Sequence, residues 1–250
     1  MSIAVIITDR NTNALCAVLQ EQLPAVQIQQ WPNLTNPENV KLAVLWSHPE
    51  GITESLPMLE MVVSMGAGMD HIEADQAIGE ELKKARIVTR VLQQNMAQYV
   101  LQYILLDHRH YLTYQNQQQQ KQWQVLETDD VPTVGFLGLG ALGGFVADHC
   151  KSLGISVMSW TQNQEHPIHP CFHGDQGLQH VCKNSDFLVV LLPLNADTEG
   201  IINQRTLSWC KPNCSLINVG RGGHVNERDL LDALDAGEIK HAVLDVFNHE

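Results

Sequence analysis

Residues 134–143 read VGFLGLGALG, and the rest of the chain is arranged around them. Val134, Phe136 and Leu137 make a short apolar run, and Gly138, Gly140 and Gly143 follow in G-x-G-x-x-G spacing. Leu142, Phe145, Val146, His149, Cys150 and Leu153 then recur at three- and four-residue steps, which is a helical period, and Gly154 is placed to stop that helix as a left-handed cap. Strand, glycine turn and helix N-terminus are the parts a pyrophosphate needs. The first glycine permits the tight turn, the second lets phosphates approach the backbone, and the third lets helix pack on strand. The anion then meets free N–H groups at the positive end of the helix dipole.

Working outward, strands and helices alternate on both sides of this turn. Before it, strands are predicted at 3–8, 26–30, 42–46, 61–64 and 86–89, with helices at 11–22 and 72–84. Residues 95–111 form the longest helical candidate, with Met96, Val100, Tyr103, Ile104 and Leu106 on one side. Two readings of it stay open: an ordinary buried helix, or one that bridges domains or forms a dimer contact. Residues 115–124 are glutamine-rich and read as a solvated helix end or arm, and Asp129, Asp130 and Pro132 mark a boundary. After the turn come strands at 155–160, 186–192, 215–219 and 242–246. Helices are predicted at 203–210 and from Asn226 to Gly237, with Asp229 as a capping-box-like partner of Asn226. The alternation implies an α/β fold of two lobes, each a parallel sheet flanked by helices, the second a dinucleotide-binding Rossmann domain.

Composition sets the outer bounds. The chain has 250 residues, 44% hydrophobic and 17% charged, with a net charge of −13. No basic surplus exists to neutralise nucleic-acid phosphates or an anionic membrane, so neither is an expected partner. The N-terminus does not read as a signal peptide, no apolar run approaches a membrane span, and the six cysteines form no C-x-x-C pair. A reduced, cytoplasmic protein is the simplest reading. Residues 166–173 hold three histidines and two prolines but no completing carboxylate or cysteine pattern, so they read as a surface loop and no metal is expected.

Four loops should converge beyond the strand ends of the second lobe: 138–143, 192–194, 218–223 and 245–250. Arg221 sits just past a strand end inside NVGRGG, where flanking glycines would keep side chains away from a ligand. A guanidinium there holds a carboxylate by two parallel hydrogen bonds and stabilises charge on a carbonyl oxygen. Asp245 ends an apolar strand and is placed to accept from a nicotinamide carboxamide or a ribose; a turn cap is the other reading. The second strand of the lobe ends at Thr161, where an acidic residue would bind the ribose 2′-hydroxyl of NAD. Thr161 carries no charge to repel a 2′-phosphate, which favours NADP(H) over NAD(H).

Together these residues resemble the D-isomer-specific 2-hydroxyacid dehydrogenase family, and within it the glyoxylate/hydroxypyruvate reductase branch. The matching stretches are Gly66-Ala67-Gly68 with Asp70, Met96-Ala97-Gln98-Tyr99, GFLGLGALG, LPLNADTEGIIN, INVGRGGHVNERDLLDAL and AVLDVF. The resemblance implies a substrate-binding, flavodoxin-like lobe over residues 1–95, and a linking helix plus NAD(P)-binding Rossmann domain over 96–250. It implies hydride transfer from nicotinamide to a small 2-keto acid, giving the D-2-hydroxy acid, in a homodimer. Cofactor contacts would come from Gly138, Gly140, Ala141, Leu142, Gly143, Thr161, Leu192, Pro193, Val219, Gly220 and Asp245. The substrate carboxylate would be held by Arg221 and by the amides of Gly66, Ala67 and Gly68. Glu250 matches the carboxylate that orients the family's catalytic histidine. That histidine lies further along the family's chains than Glu250, as does a C-terminal return segment to the first lobe. His71, His224 and His249 do not occupy its position. A second reading is therefore a catalytically inactive dinucleotide sensor or interaction protein on the same fold.

Overall fold

The computed structural model describes residues 1–127 and 131–248. The expected boundary residues Asp129 and Asp130, together with His249 and Glu250, lie outside the described residues. The chain divides into two compact units, Met1–Val88 and Thr89–Glu250.

The first unit runs β1 (Ser2–Ile7), α1 (Asn13–Gln22), β2 (Gln27–Gln30), β3 (Val40–Trp46), β4 (Met61–Ser64), α2 (Asp70–Glu73) and β5 (Lys83–Arg86). Its five parallel strands are ordered β2-β1-β3-β4-β5, the flavodoxin-like arrangement. β1 is buried at every position because both faces of a parallel sheet are covered. One side of the sheet packs Ala4, Ile6, Ala43, Leu45, Val62 and Ile72; the other packs Ile3, Val5, Ile7 and Val44.

The predicted helix at 72–84 is not formed. Ile72, Ile78 and Leu82 do face the core, but α2 lasts one turn. Asp75 then draws the backbone away from a helix: its carboxylate accepts from the amides of Ala77 (3.0 Å) and Gly51 (3.2 Å). The edge strand falls at Lys83–Arg86, earlier than the predicted 86–89. Its sequence, KKAR, lacks an apolar signal because an exposed edge is tolerated best when charged.

The second unit runs α3 (Arg90–His108), α4 (Tyr111–Gln119), β6 (Thr133–Leu137), α5 (Ala141–Ser152), β7 (Ser156–Trp160), β8 (Cys171–Phe172), α6 (Gly174–Asn184), β9 (Phe187–Val190), α7 (Gln204–Leu207), β10 (Ser215–Asn218), α8 (Glu227–Asp235) and β11 (His241–Leu244). The strand order β11-β10-β9-β6-β7-β8 is the doubly wound Rossmann order, with its switch point between β6 and β9. Val134, Phe136, Val189 and Ile217 meet α3 and α5 through Val100, Ile104, Val146 and Cys150. Leu188, Leu216 and Val190 meet α6 and α8 through Leu178, Val181 and Leu230.

Several boundaries moved. α3 begins at Arg90 because Thr89 caps it, its hydroxyl accepting from the Leu92 amide at 3.1 Å. It ends at His108; His110 takes a left-handed conformation (φ 53°), and α4 follows with no buried residue. Much of the glutamine tract is thus exposed helix. The loop expected at 166–173 contains the two-residue strand β8, and α6 was not foreseen at all, since its apolar positions are few. The helix predicted at 203–210 keeps only four α-helical residues, Gln204–Leu207. Asn226 does cap α8, accepting from Arg228 and Asp229 amides. Asp229 does not return the bond; its carboxylate accepts from the Gln204 amide at 2.9 Å and ties α8 to α7.

Candidate functional site

At the switch point of the second unit, the three fingerprint glycines are needed for three different reasons. Gly138 has φ +96°, and a β-carbon there would lie 2.6 Å from the Leu191 carbonyl oxygen. At Gly143 it would lie 2.5 Å from the Gly138 carbonyl oxygen, so helix and turn could not close. At Gly140 it would meet nothing within 4 Å, leaving open space before the first turn of α5. No side chain caps that turn, so the amides of Ala141, Leu142 and Gly143 present an uncapped positive helix end. Gln93 fixes the turn from α3, donating to the Ala141 carbonyl at 2.9 Å.

The neighbouring loops pack directly against one another. Val219 donates to the Val190 carbonyl at 3.2 Å, and Asp245 to the Asn218 carbonyl at 3.0 Å. Buried Asn218 shapes the turn that follows it, accepting from the Gly220 amide (3.1 Å) and donating to the Arg221 carbonyl (2.9 Å). At the glycines around Arg221 the protein itself takes up part of the room that the missing side chains leave. A β-carbon on Gly220 would press on His224 at 3.0 Å, one on Gly222 on the Phe247 backbone at 2.0 Å, and one on Gly223 on Leu194 at 3.0 Å. Arg221 itself is half-buried, and its Nη1 donates to the Gly220 carbonyl at 2.9 Å.

Three residues of this region, each inside a matching stretch, were assigned no role by the sequence. His224 is fully buried: its Nδ1 accepts from the Arg221 amide (3.1 Å), which leaves Nε2 to donate to the Pro193 carbonyl (3.3 Å). It is a neutral brace between the 192–194 and 218–223 loops. Thr198 is also buried and donates to the same Pro193 carbonyl at 2.6 Å, folding the LPLNADT stretch. Tyr99 of α3 lies close to Asp245; burial first, then the nearby carboxylate, pushes its phenol up to about 12. At the end of β7, Thr161 is buried and its hydroxyl donates to the Gln164 carbonyl.

In the first unit, the Gly66-Ala67-Gly68 loop follows β4. Buried Ser64 organises it, accepting from the Gly66 amide (3.2 Å) and donating to the Gly68 carbonyl (2.7 Å). The Gly66 amide is therefore committed internally. The amides of Ala67 and Gly68 have no intramolecular acceptor among the described residues. Gly66 also lets Trp46 approach; a β-carbon would sit 2.6 Å from its ring. Glu250 lies outside the described residues.

A family model described as D-isomer specific 2-hydroxyacid dehydrogenase, NAD binding domain, matches residues 101–250. The chain belongs to this family. It is 34% identical over 241 residues to glyoxylate/hydroxypyruvate reductase A of Yersinia enterocolitica, covering 93% of this chain and 76% of the relative. Among solved structures it is similar to a D-isomer specific 2-hydroxyacid dehydrogenase from Xanthobacter autotrophicus in complex with NADPH and MES. That likeness has 29% identity and a TM-score of 0.92 over 100% of this chain and 81% of the other. A second is the NADPH-dependent glyoxylate/hydroxypyruvate reductase from Sinorhizobium meliloti in complex with NADP and sulfate, with 28% identity and a TM-score of 0.87 over 100% and 82%. The 2-hydroxyacid dehydrogenase fold thus accounts for both sheets, and for the switch-point position of the glycine turn.

Proposed function

We propose that this dehydrogenase-family chain uses NADPH to reduce a small 2-keto acid of the glyoxylate or hydroxypyruvate kind to the D-2-hydroxy acid. The carrying observation is the glycine turn at the switch point, open at Gly140, with an uncapped helix end behind it. The names of the Yersinia and Sinorhizobium relatives support the substrate class, and the ligands of the two solved relatives support NADPH. The turn suits a pyrophosphate; Leu192, Pro193, Val219, Gly220 and Asp245 border the same end of the sheet. When bound, the dinucleotide supplies hydride.

Arg221 is the group for the substrate carboxylate and for charge growing on the carbonyl oxygen. Its loop is held from behind by Asn218 and His224, which limits how far the guanidinium can wander. The first unit is the substrate lobe, where the amides of Ala67 and Gly68 are the carboxylate donors. Glu250 would orient a histidine acid. The chain works as a homodimer through α3 and α4, where Tyr111, Leu112 and Tyr114 are exposed.

The test is NADPH oxidation with glyoxylate and hydroxypyruvate, run on this chain and on one that includes any coding sequence after codon 250, alongside Arg221→Lys. The lysine keeps the charge but loses the two-pronged grip, so reduction should fall more than about tenfold, ~1.4 kcal/mol in the barrier. Unchanged turnover would remove Arg221 from the chemistry. Dinucleotide binding without reduction of either acid would overturn the reductase reading and favour the sensor.

A further inference from the structure

No acidic residue stands at position 161, yet the turn beyond β7 is charged. The Thr161 hydroxyl donates to the Gln164 carbonyl, three residues on, and so closes the turn. His173, at the end of β8, packs against it. Its Nδ1 lies 3.0 Å from the Thr161 carbonyl oxygen and 3.2 Å from the Thr161 hydroxyl, and its Nε2 lies 3.0 Å from a Glu165 carboxylate oxygen. Carbonyl and carboxylate oxygens only accept. Hydrogens on both ring nitrogens satisfy all these partners, so the arrangement favours the imidazolium. The Thr161 carbonyl, and after it Glu165, hold its pKa above the ordinary histidine value. One side of this cation is thus fixed by backbone. The other side meets a side chain that is 79% exposed and has no other hydrogen bond or ion pair among the described residues.

Other cations are lacking in this segment. Residues 161–173 contain neither lysine nor arginine. His166 accepts at Nδ1 from the Ile168 and His169 amides, and buried His169 is paired with Asp148 at 2.8 Å. Gln162 donates to Asp197, and Asp175 is paired with Arg205. The end of the second Rossmann strand is where such folds distinguish a ribose 2′-hydroxyl from a 2′-phosphate.

We propose that the His173–Glu165 pair sets the choice between NADPH and NADH, the His173 imidazolium taking the 2′-phosphate in exchange for the Glu165 carboxylate. This rests on the dinucleotide reading above. A phosphomonoester carries about −1.5 to −2 at pH 7 against −1 for the carboxylate, so the exchange is electrostatically favourable. NADH has no such group and leaves the pair intact. Glu165 competes with the phosphate, so removing it has the opposite sign to removing His173.

The experiment is equilibrium binding of NADPH and NADH, read by nicotinamide fluorescence, for the wild-type chain, His173→Gln and Glu165→Gln. Displacement by adenosine 2′,5′-bisphosphate and by 5′-AMP is measured in parallel. His173→Gln should weaken NADPH and the bisphosphate about five- to tenfold, and change NADH and AMP less than about twofold. Glu165→Gln should tighten NADPH and the bisphosphate several-fold. Equal shifts for both dinucleotides, or an unchanged NADPH/NADH ratio in either variant, would overturn the proposal while leaving dinucleotide binding intact. Binding of neither dinucleotide by the wild-type chain would sink both readings. Should His173→Gln disturb the β7–β8 turn, the exposed Glu165→Gln variant decides alone.

Discussion

His224 shows how much a single buried side chain does in this fold. It accepts from one loop and donates to another, and its tautomer is dictated by those two partners. Replacing it by leucine keeps the volume but strands the Arg221 amide without an acceptor. Such a loss costs about 1–3 kcal/mol. We expect His224→Leu to lower the melting temperature by roughly 3–8 °C and, on the role proposed for Arg221, to weaken 2-keto acid binding. Thermal unfolding with a KM measurement checks both; an unshifted melting temperature would mean that the brace carries no weight. Of the candidate residues, the three fingerprint glycines were legible in the sequence because their backbone geometry is one that few residue types meet, and Arg221 was legible in its place just past a strand end. His224, Thr198 and Asn218 were not legible as supports, because a histidine, threonine or asparagine in a polar loop looks the same whether it braces the loop or faces water. At Gly220, Gly222 and Gly223 the sequence shows that room is made, and the structure adds which neighbouring protein atoms fill part of it.

At the scale of the element, the β6–turn–α5 unit separates folding from binding. Gly138→Ala puts a side chain at φ +96° and against a carbonyl, and should cost about 2–4 kcal/mol. Gly140→Ala meets only open space, so stability should hold while NADPH affinity falls more than about tenfold as the methyl fills the phosphate side of the turn. Circular-dichroism melts and fluorescence titration separate the two; equal losses of stability would refute the distinction. α3 carries a second prediction. Asp107, near its C-terminus, accepts from Ser215 at 2.7 Å and from Lys240, tying the helix to the starts of β10 and β11. Burial raises its pKa, but hydrogen bonds from Lys240 and Ser215 outweigh that and hold the carboxyl below its ordinary value. The stabilisation is full above the ordinary carboxylate pKa and is lost as pH falls through the lowered one. The stability gap between wild type and Asp107→Asn should therefore narrow as pH drops from about 5 to about 3. A pH-independent gap would assign the effect to packing.

Across the whole molecule, each unit has its own sheet and its own core, and this predicts independent failure. Leu45 is fully buried in β3 of the first unit. Leu45→Ala should cost that unit about 2–5 kcal/mol, leave the NADPH dissociation constant unchanged, and lower a calorimetric transition that added NADPH does not move. Loss of NADPH affinity in this variant would show that the second unit depends on the first for its site.

By itself the sequence determined the periods and the punctuation: apolar strands alternating with helices, a glycine fingerprint between strand and helix, and the motifs that place the chain in its family. These are local properties, set by backbone sterics and by which face a few consecutive residues bury. The tertiary structure alone decided where charged edge strands such as Lys83–Arg86 pair, why 72–84 is not a helix, and which loop side chains brace one another. It also brought Glu165 and His173 together beside Thr161, at the strand end that the sequence had read as uncharged. Those outcomes depend on partners distant along the chain, and hydrogen bonds of that kind leave no period for a sequence to show.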